Sequence, residues 1–196
     1  MNLTKDGLLE HVKTCLNKPT VYVNGGFMRL ATKSHLEYKF DQYPNNFSEE
    51  RKAYLRTLID KVYICDCVGL IKSYYWGGIG APDYEAQTDY NTDGFINTAE
   101  KVGLIETLPE IPGLGLYQKG HVGVYIGNGE VIECTHGNLG DGVVKTKLKQ
   151  RAWTKWFEIP HIDYSQQGGS SYYIKIGPFN TEAEAKRWVS VVKEVK

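Results

Sequence analysis

Residues 121–126, His-Val-Gly-Val-Tyr-Ile, alternate strictly, which commits this stretch to a strand with two unlike faces. Val122, Val124 and Ile126 point one way; His121, Gly123 and Tyr125 point the other. Gly127-Asn128-Gly129 follows, and residues 131–135 alternate again, so the two runs read as an antiparallel hairpin. Two registers are open. A two-residue Asn128-Gly129 turn sets His121 opposite His136 and on one face with Cys134. A three-residue loop gives Gly129 the left-handed position and sets Thr135 opposite His121. Glu133 is then the diagonal neighbour on the same face, where its carboxylate can hold the imidazole. A His beside glycine, opposite the aliphatics, either lines a cleft or caps a strand edge.

The second constraining pattern is a helix over residues 66–75, stopped by Gly77-Gly78. Asp66 is a good N-cap, which places Cys67 in the first turn. Unpaired amides and the positive end of the helix dipole favour a thiolate there, so the expected thiol pKa is low. Gly69 is expected to leave the helix surface open to a substrate. A thiolate nucleophile needs a proton-transfer partner, and His121 is the candidate. The bland alternative for a cysteine at a helix start is a buried structural thiol.

Elsewhere, Thr4 caps a helix over 4–16 with Leu8, Leu9, Val12, Cys15 and Leu16 on one face, so Cys15 reads as a core thiol. Val21-Tyr22-Val23 is extended and broken by Asn24-Gly25-Gly26. Residues 31–60 are polar, with a turn at Tyr43-Pro44-Asn45-Asn46 and a helix near 49–59; this segment is either a lid or packing. Residues 80–115 are loop-rich with one helix over 93–102. Residues 143–162 hold further strands, with Trp153, Trp156 and Phe157 covering the sheet. Residues 164–170 form a linker, and a strand at 172–176 with a capped helix from Thr181 makes up a segment at 171–196.

With 23 basic and 23 acidic residues, nothing steers this 196-residue chain onto nucleic acid or anionic lipid. No apolar run approaches the roughly 20 residues that span a bilayer, and residues 1–16 lack the plan of a signal peptide. Four cysteines are too few for a disulfide scaffold, so reduced thiols and synthesis in a cytoplasm are expected.

Tyr22-Val23-Asn24-Gly25-Gly26, Asp66-Cys67-Val68-Gly69-Leu70, the run from Gly120 to Gly129, and Val131-Ile132-Glu133 together resemble the NlpC/P60 family of cell-wall cysteine peptidases. The resemblance spans most of residues 1–163. It implies an α+β, papain-like fold in which a helix bearing the Cys packs on a small antiparallel sheet bearing the His. It implies Cys67 as nucleophile, His121 as base and Glu133 as the third polar residue, which favours the three-residue loop. Tyr22 and Asp66 are the matching positions for substrate orientation and oxyanion support, with the Cys67 amide as main oxyanion donor. Val68 stands where the family usually has Ser, which removes one element of amine recognition, and Glu133 stands where it often has His. The 31–60 insertion resembles the phage-endolysin branch, and residues 172–179 resemble the first half of a SPOR module.

The function so implied is an endopeptidase cutting stem peptides after D-γ-glutamate, with no cofactor and no metal. Its partner is the peptidoglycan stem peptide, with glycan contact through the tail a further possibility, and it would reach the wall after lysis-type release. An N-acetylmuramoyl-L-alanine amidase with the same chemistry is the alternative within this class. Outside it stand an inactive wall-binding protein and a zinc-binding interaction module using Cys65, Cys67, Cys134 and His136. Oligomeric state is open.

Overall fold

A computed structural model of the chain describes residues 3–165. These belong to the first of two compact units, Met1–Gln166 and Gln167–Lys196. The expected linker from residue 166 and the segment at 171–196 lie outside the described residues. Tyr164, expected to open the linker, is instead part of the folded unit: its hydroxyl donates to Gly113 O at 2.8 Å and accepts from Ile159 N at 3.0 Å.

Helix α1 (Lys5–Leu16) starts at Thr4, whose hydroxyl accepts from Gly7 N, and buries Leu8, Val12 and Cys15. Strands β1 (Thr20–Tyr22), β2 (Phe27–Leu30) and β3 (Tyr63–Cys65) form a small sheet in the order β1-β3-β2, with β1 parallel to β3. Between β2 and β3 the chain makes α2 (Lys33–Gln42) and α3 (Glu49–Arg56). The sequence showed only the second of these. α2 buries just Leu36 and Phe40, too narrow an apolar stripe to stand out among polar residues. α3 ends at Arg56, before the expected 59, and the following turn brings Asp60 N to Ala31 O at 2.7 Å. The two helices close a core of Val21, Val23, Leu36, Phe40, Leu55 and Ile64, so packing is one role of this segment.

β3 runs through Asp66 directly into α4 (Cys67–Tyr75). Helix α5 (Thr92–Thr98) is shorter than expected, because Val102–Leu104 leaves the helical path to become β4 and pair with β9 (Lys155–Phe157). With β5 (Gly115–Gln118), β6 (His121–Gly127), β7 (Glu130–Gly137) and β8 (Gly140–Lys147), they make an antiparallel sheet in the order β4-β9-β5-β6-β7-β8. Helices α1 and α4 cover one face of it, where Leu8, Leu70 and Ile71 join Val122, Val124 and Ile132 in one core. The molecule is thus α+β, with the cysteine-bearing helix on the antiparallel sheet that carries His121 and Glu133.

The β6–β7 hairpin combines both expected registers. Asn128 and Gly129, at φ 54° and 66°, form a two-residue turn closed by Gly127 and Glu130. A bulge between Tyr125 and Gly127 then shifts the pairing to Val124↔Ile132 and Tyr125↔Val131. Continued along the strands, that register sets Thr135 opposite His121. Gly127 absorbs the bulge at φ 91°. The other face of β6 is not an open cleft along its length: Leu116, Tyr125, Val131 and Trp153 form a second core there, and a Cβ on Gly123 would press on Val131 and Trp153. Among the described residues, no helix is long and apolar enough to cross a membrane.

Candidate active site

Asp66 has an extended backbone and caps α4, with Oδ1 accepting from Gly69 N at 2.6 Å. Its Oδ2 accepts from Gly25 N at 2.7 Å, so one carboxylate ties the helix start to the β1–β2 loop. Burial raises its pKa, opposed by Lys72, the two amides and Lys39. Gly69 serves this docking and not substrate access: a Cβ there would run into the carbonyl oxygen of Gly26.

Cys67 follows as the first helical residue, 6% exposed. Its amide has no acceptor within the helix, which leaves it free for an incoming oxygen. The expected low thiol pKa is reversed. Burial, and then the Asp66 carboxylate, push the Cys67 thiol up to about 12, against the pull of the Val122 and Val68 amides. Burial thus outweighs the helix dipole, with the neighbouring Asp66 acting in the same direction. The Val122 amide places the sulfur against the first peptide of β6, next to His121. No hydrogen bond among the described residues joins the sulfur to the imidazole.

His121 Nε2 lies 2.6 Å from Glu133 Oε2, and the ring stacks on Trp153 at 5.6 Å between centroids. Glu133 is fully buried; Oε1 accepts from Thr146 at 2.6 Å and Oε2 from Arg151 Nε. Arg151 also donates to Thr135 Oγ1 at 2.5 Å. Burial acts to raise the Glu133 pKa, but the His121 and Thr146 hydrogen bonds and the His121 and Arg151 charges hold it below the usual range. An ionised carboxylate on Nε2 fixes the proton there and leaves the Nδ1 lone pair exposed as a base.

Tyr22, at the end of β1, is partly buried and packs against the core that holds Cys67; burial above all raises its hydroxyl pKa, with the nearby Cys67 and Asp66 acting the same way. Its backbone is clamped: the Tyr22 amide donates to Asp141 Oδ1 at 3.2 Å and its carbonyl accepts from Arg51 at 2.8 Å. Arg51 also grips Asp141 through two bonds, at 2.6 and 2.7 Å. His136 is exposed, 3.3 Å from Asp141 and stacked on Tyr22 at 6.4 Å, and no hydrogen bond among the described residues joins it to His121 or Glu133. The zinc arrangement is not assembled: among the described residues, no group of three or more His, Cys, Asp or Glu is placed to hold a metal.

Sequence reading singled out Cys67, His121, Glu133, Tyr22 and Asp66; the fold sets Tyr22 and Asp66 beside Cys67 and pairs His121 with Glu133 on the strands β6 and β7, the first of which meets the sulfur at the Val122 amide. It missed Thr146, Arg151 and the Arg51–Asp141 clamp, and it read Trp153 as a cover of the sheet without its stacking on His121. Thr146 had the signal of a polar residue within an alternating strand; Arg151, in the β8–β9 connection, had none.

Fold and site together define an α+β protein in which a buried thiol at a helix start lies beside the strand that carries a histidine–glutamate pair. The sequence matches no family profile and no curated protein. Among solved structures, it is similar to the P60 domain of antigen MAP1204 from M. avium subspecies paratuberculosis, with 15% identity over 82% of this chain and 96% of that one, at a TM-score of 0.47. It is also similar to the peptidoglycan hydrolase RipB from Mycobacterium tuberculosis, with 19% identity over 82% of this chain and 65% of that one, at a TM-score of 0.45.

Proposed function

We propose that this protein is a peptidoglycan hydrolase, a cysteine endopeptidase that cuts stem peptides after D-γ-glutamate. The observation that carries the chemistry is the His121–Glu133 pair, 2.6 Å apart, at the strand start where the Cys67 sulfur sits. The substrate class rests on the sequence resemblance. Because the resting thiol is neutral, His121 Nδ1 takes the thiol proton as sulfur attacks the amide carbon. Substrate binding must first close the gap between sulfur and ring. The developing oxyanion is received by the Cys67 amide, with Tyr22 in support. Collapse breaks the C–N bond, the departing amine takes the proton from the imidazolium, and a thioester remains on Cys67. Water activated by His121 then releases the acid and restores the thiol. An endolysin-like release route and wall contact by the tail are part of this reading and rest on the resemblances of residues 31–60 and 172–179.

The test is digestion of purified peptidoglycan with product masses. Stems shortened after D-γ-glutamate are expected, and Cys67→Ala, with an unchanged circular dichroism spectrum, is expected to release none. Intact free stems would instead identify an amidase. Release of products by Cys67→Ala at the native rate would remove the nucleophile.

A further inference from the structure

A cavity of about 360 Å³ opens between β2, α2 and α4, floored by Phe27 and Trp76. It adjoins the site, since the Gly25 that lines it holds Asp66 by its amide. Its charges are unbalanced. Lys72 is paired with Asp89 at 2.5 Å, while Arg29 and Lys39 form no ion pair among the described residues, and Lys39 feels the Asp66 and Asp89 carboxylates only at longer range. Lys39 Nζ reaches only the neutral Gln42 oxygen, at 2.9 Å, and lies over the rings of Tyr38 and Phe27 at 5.2 and 5.7 Å. Arg29 spends one nitrogen on Pro82 O at 2.7 Å, while its Nε is buried without a partner. An unmatched buried N–H is unfavourable, and the Arg29 guanidinium, over the Phe27 ring at 5.2 Å, brings to the cavity a charge that no acidic side chain among the described residues pairs. On the rim, Tyr38 and Tyr84 are 62% and 58% exposed, apolar surface that a ligand would cover.

We propose that this cavity is a carboxylate-recognising subsite, in which Lys39 and Arg29 take a free carboxylate of the peptide that Cys67 attacks while the rim tyrosines cover its apolar part. The inference rests on the hydrolase reading, and it gives the 31–60 segment a role beyond packing, because that segment supplies Tyr38, Lys39, Gln42 and Tyr43. A protein built this way separates a peptide with a free carboxylate from the same peptide with that group amidated. The two differ by one charge and hardly in shape.

The experiment uses paired stem peptides, free acid and side-chain amide, on wild type, Lys39→Gln and Lys39→Arg. Hydrolysis is followed as kcat and KM, and binding is followed by calorimetry on the Cys67→Ala protein with and without Lys39→Gln. The free acid is expected to bind about tenfold more tightly than the amide. Lys39→Gln is expected to erase that preference through KM, and Lys39→Arg to keep most of it. Equal binding of acid and amide by Cys67→Ala, or a preference that survives Lys39→Gln, overturns the subsite. Discriminating binding without hydrolysis by wild type supports the subsite and overturns the hydrolase instead.

Discussion

At the scale of single residues, the decisive balance is between burial and the helix dipole at Cys67. A pKa of about 12 means that only a trace of thiolate exists near neutral pH, and that the fraction grows about tenfold per pH unit until that value is approached. Iodoacetamide is therefore expected to alkylate Cys67 at pH 7.5 much more slowly than a free cysteine, with the rate still climbing at pH 10. A plateau below pH 8 in mass-spectrometric labelling would mean a preformed thiolate. The proposed role of Glu133 as partner of His121 is tested by comparing two variants. Glu133→Gln keeps the shape but removes the charge that holds the His121 tautomer and neutralises Arg151. Its kcat is expected to fall about 10²-fold. His136→Ala, which removes an exposed ring, is expected to change kcat less than threefold (~0.6 kcal/mol). The reverse order in steady-state assays would transfer the role to His136.

At the scale of elements, α1 is joined to α4 by a buried polar contact: His11 Nε2 lies 2.8 Å from Ser73 Oγ and 3.4 Å from the Cys15 sulfur. Burial lowers the His11 pKa to about 4, against the backbone hydrogen bond with Leu70, which raises it. A depressed folded pKa means that the unfolded chain takes up the proton first as pH falls. The stability from neutral His11 is thus complete above about pH 6.5 and is lost between there and about pH 4, on the order of 3 kcal/mol in all. Thermal melts of wild type are expected to drop across that window and those of His11→Gln to stay flatter; parallel curves would show that α1 and α4 are held otherwise. Sequence reading caught α1 and α4 because each has a cap and a broad apolar face. It missed α2, where only Leu36 and Phe40 are buried, and it overran α5, whose end is set by β4 pairing with a strand some fifty residues later. The bulge at Gly127 escaped both turn alternatives, because a turn and a compensating bulge leave the same glycine pattern as a longer loop.

At the scale of the whole described unit, the site straddles two sheets: Tyr22 comes from the three-stranded one, His121 and Glu133 from the six-stranded one. What sets their separation is polar. Thr20 Oγ1 accepts from Val143 N at 2.8 Å, and Arg51 of α3 binds both Asp141 of β8 and the Tyr22 carbonyl. None of this was legible in the sequence, since Arg51 and Asp141 are 90 residues apart and neither interrupts a pattern. Both sheets share one core beside α4, where Met28 and Cys65 meet Val122, Ile132 and Cys134, but hydrophobic contact is non-directional and tolerates sliding of one sheet past the other. A bidentate pair with side chains only 15% and 28% exposed does not. Asp141→Asn keeps the volume, cancels the charge and weakens the hold on the Tyr22 amide, and is expected to cost about 1–2 kcal/mol of stability. If Tyr22 supports the oxyanion only when so held, the same change lowers kcat about tenfold while leaving the His121–Glu133 pair intact. The combined variant Asp141→Asn/Tyr22→Phe should then be no slower than Tyr22→Phe alone, because the clamp acts through that hydroxyl. Multiplying losses in the double variant would show that the clamp acts on catalysis by a route other than the Tyr22 hydroxyl, and an unchanged kcat in Asp141→Asn would show that it serves stability only.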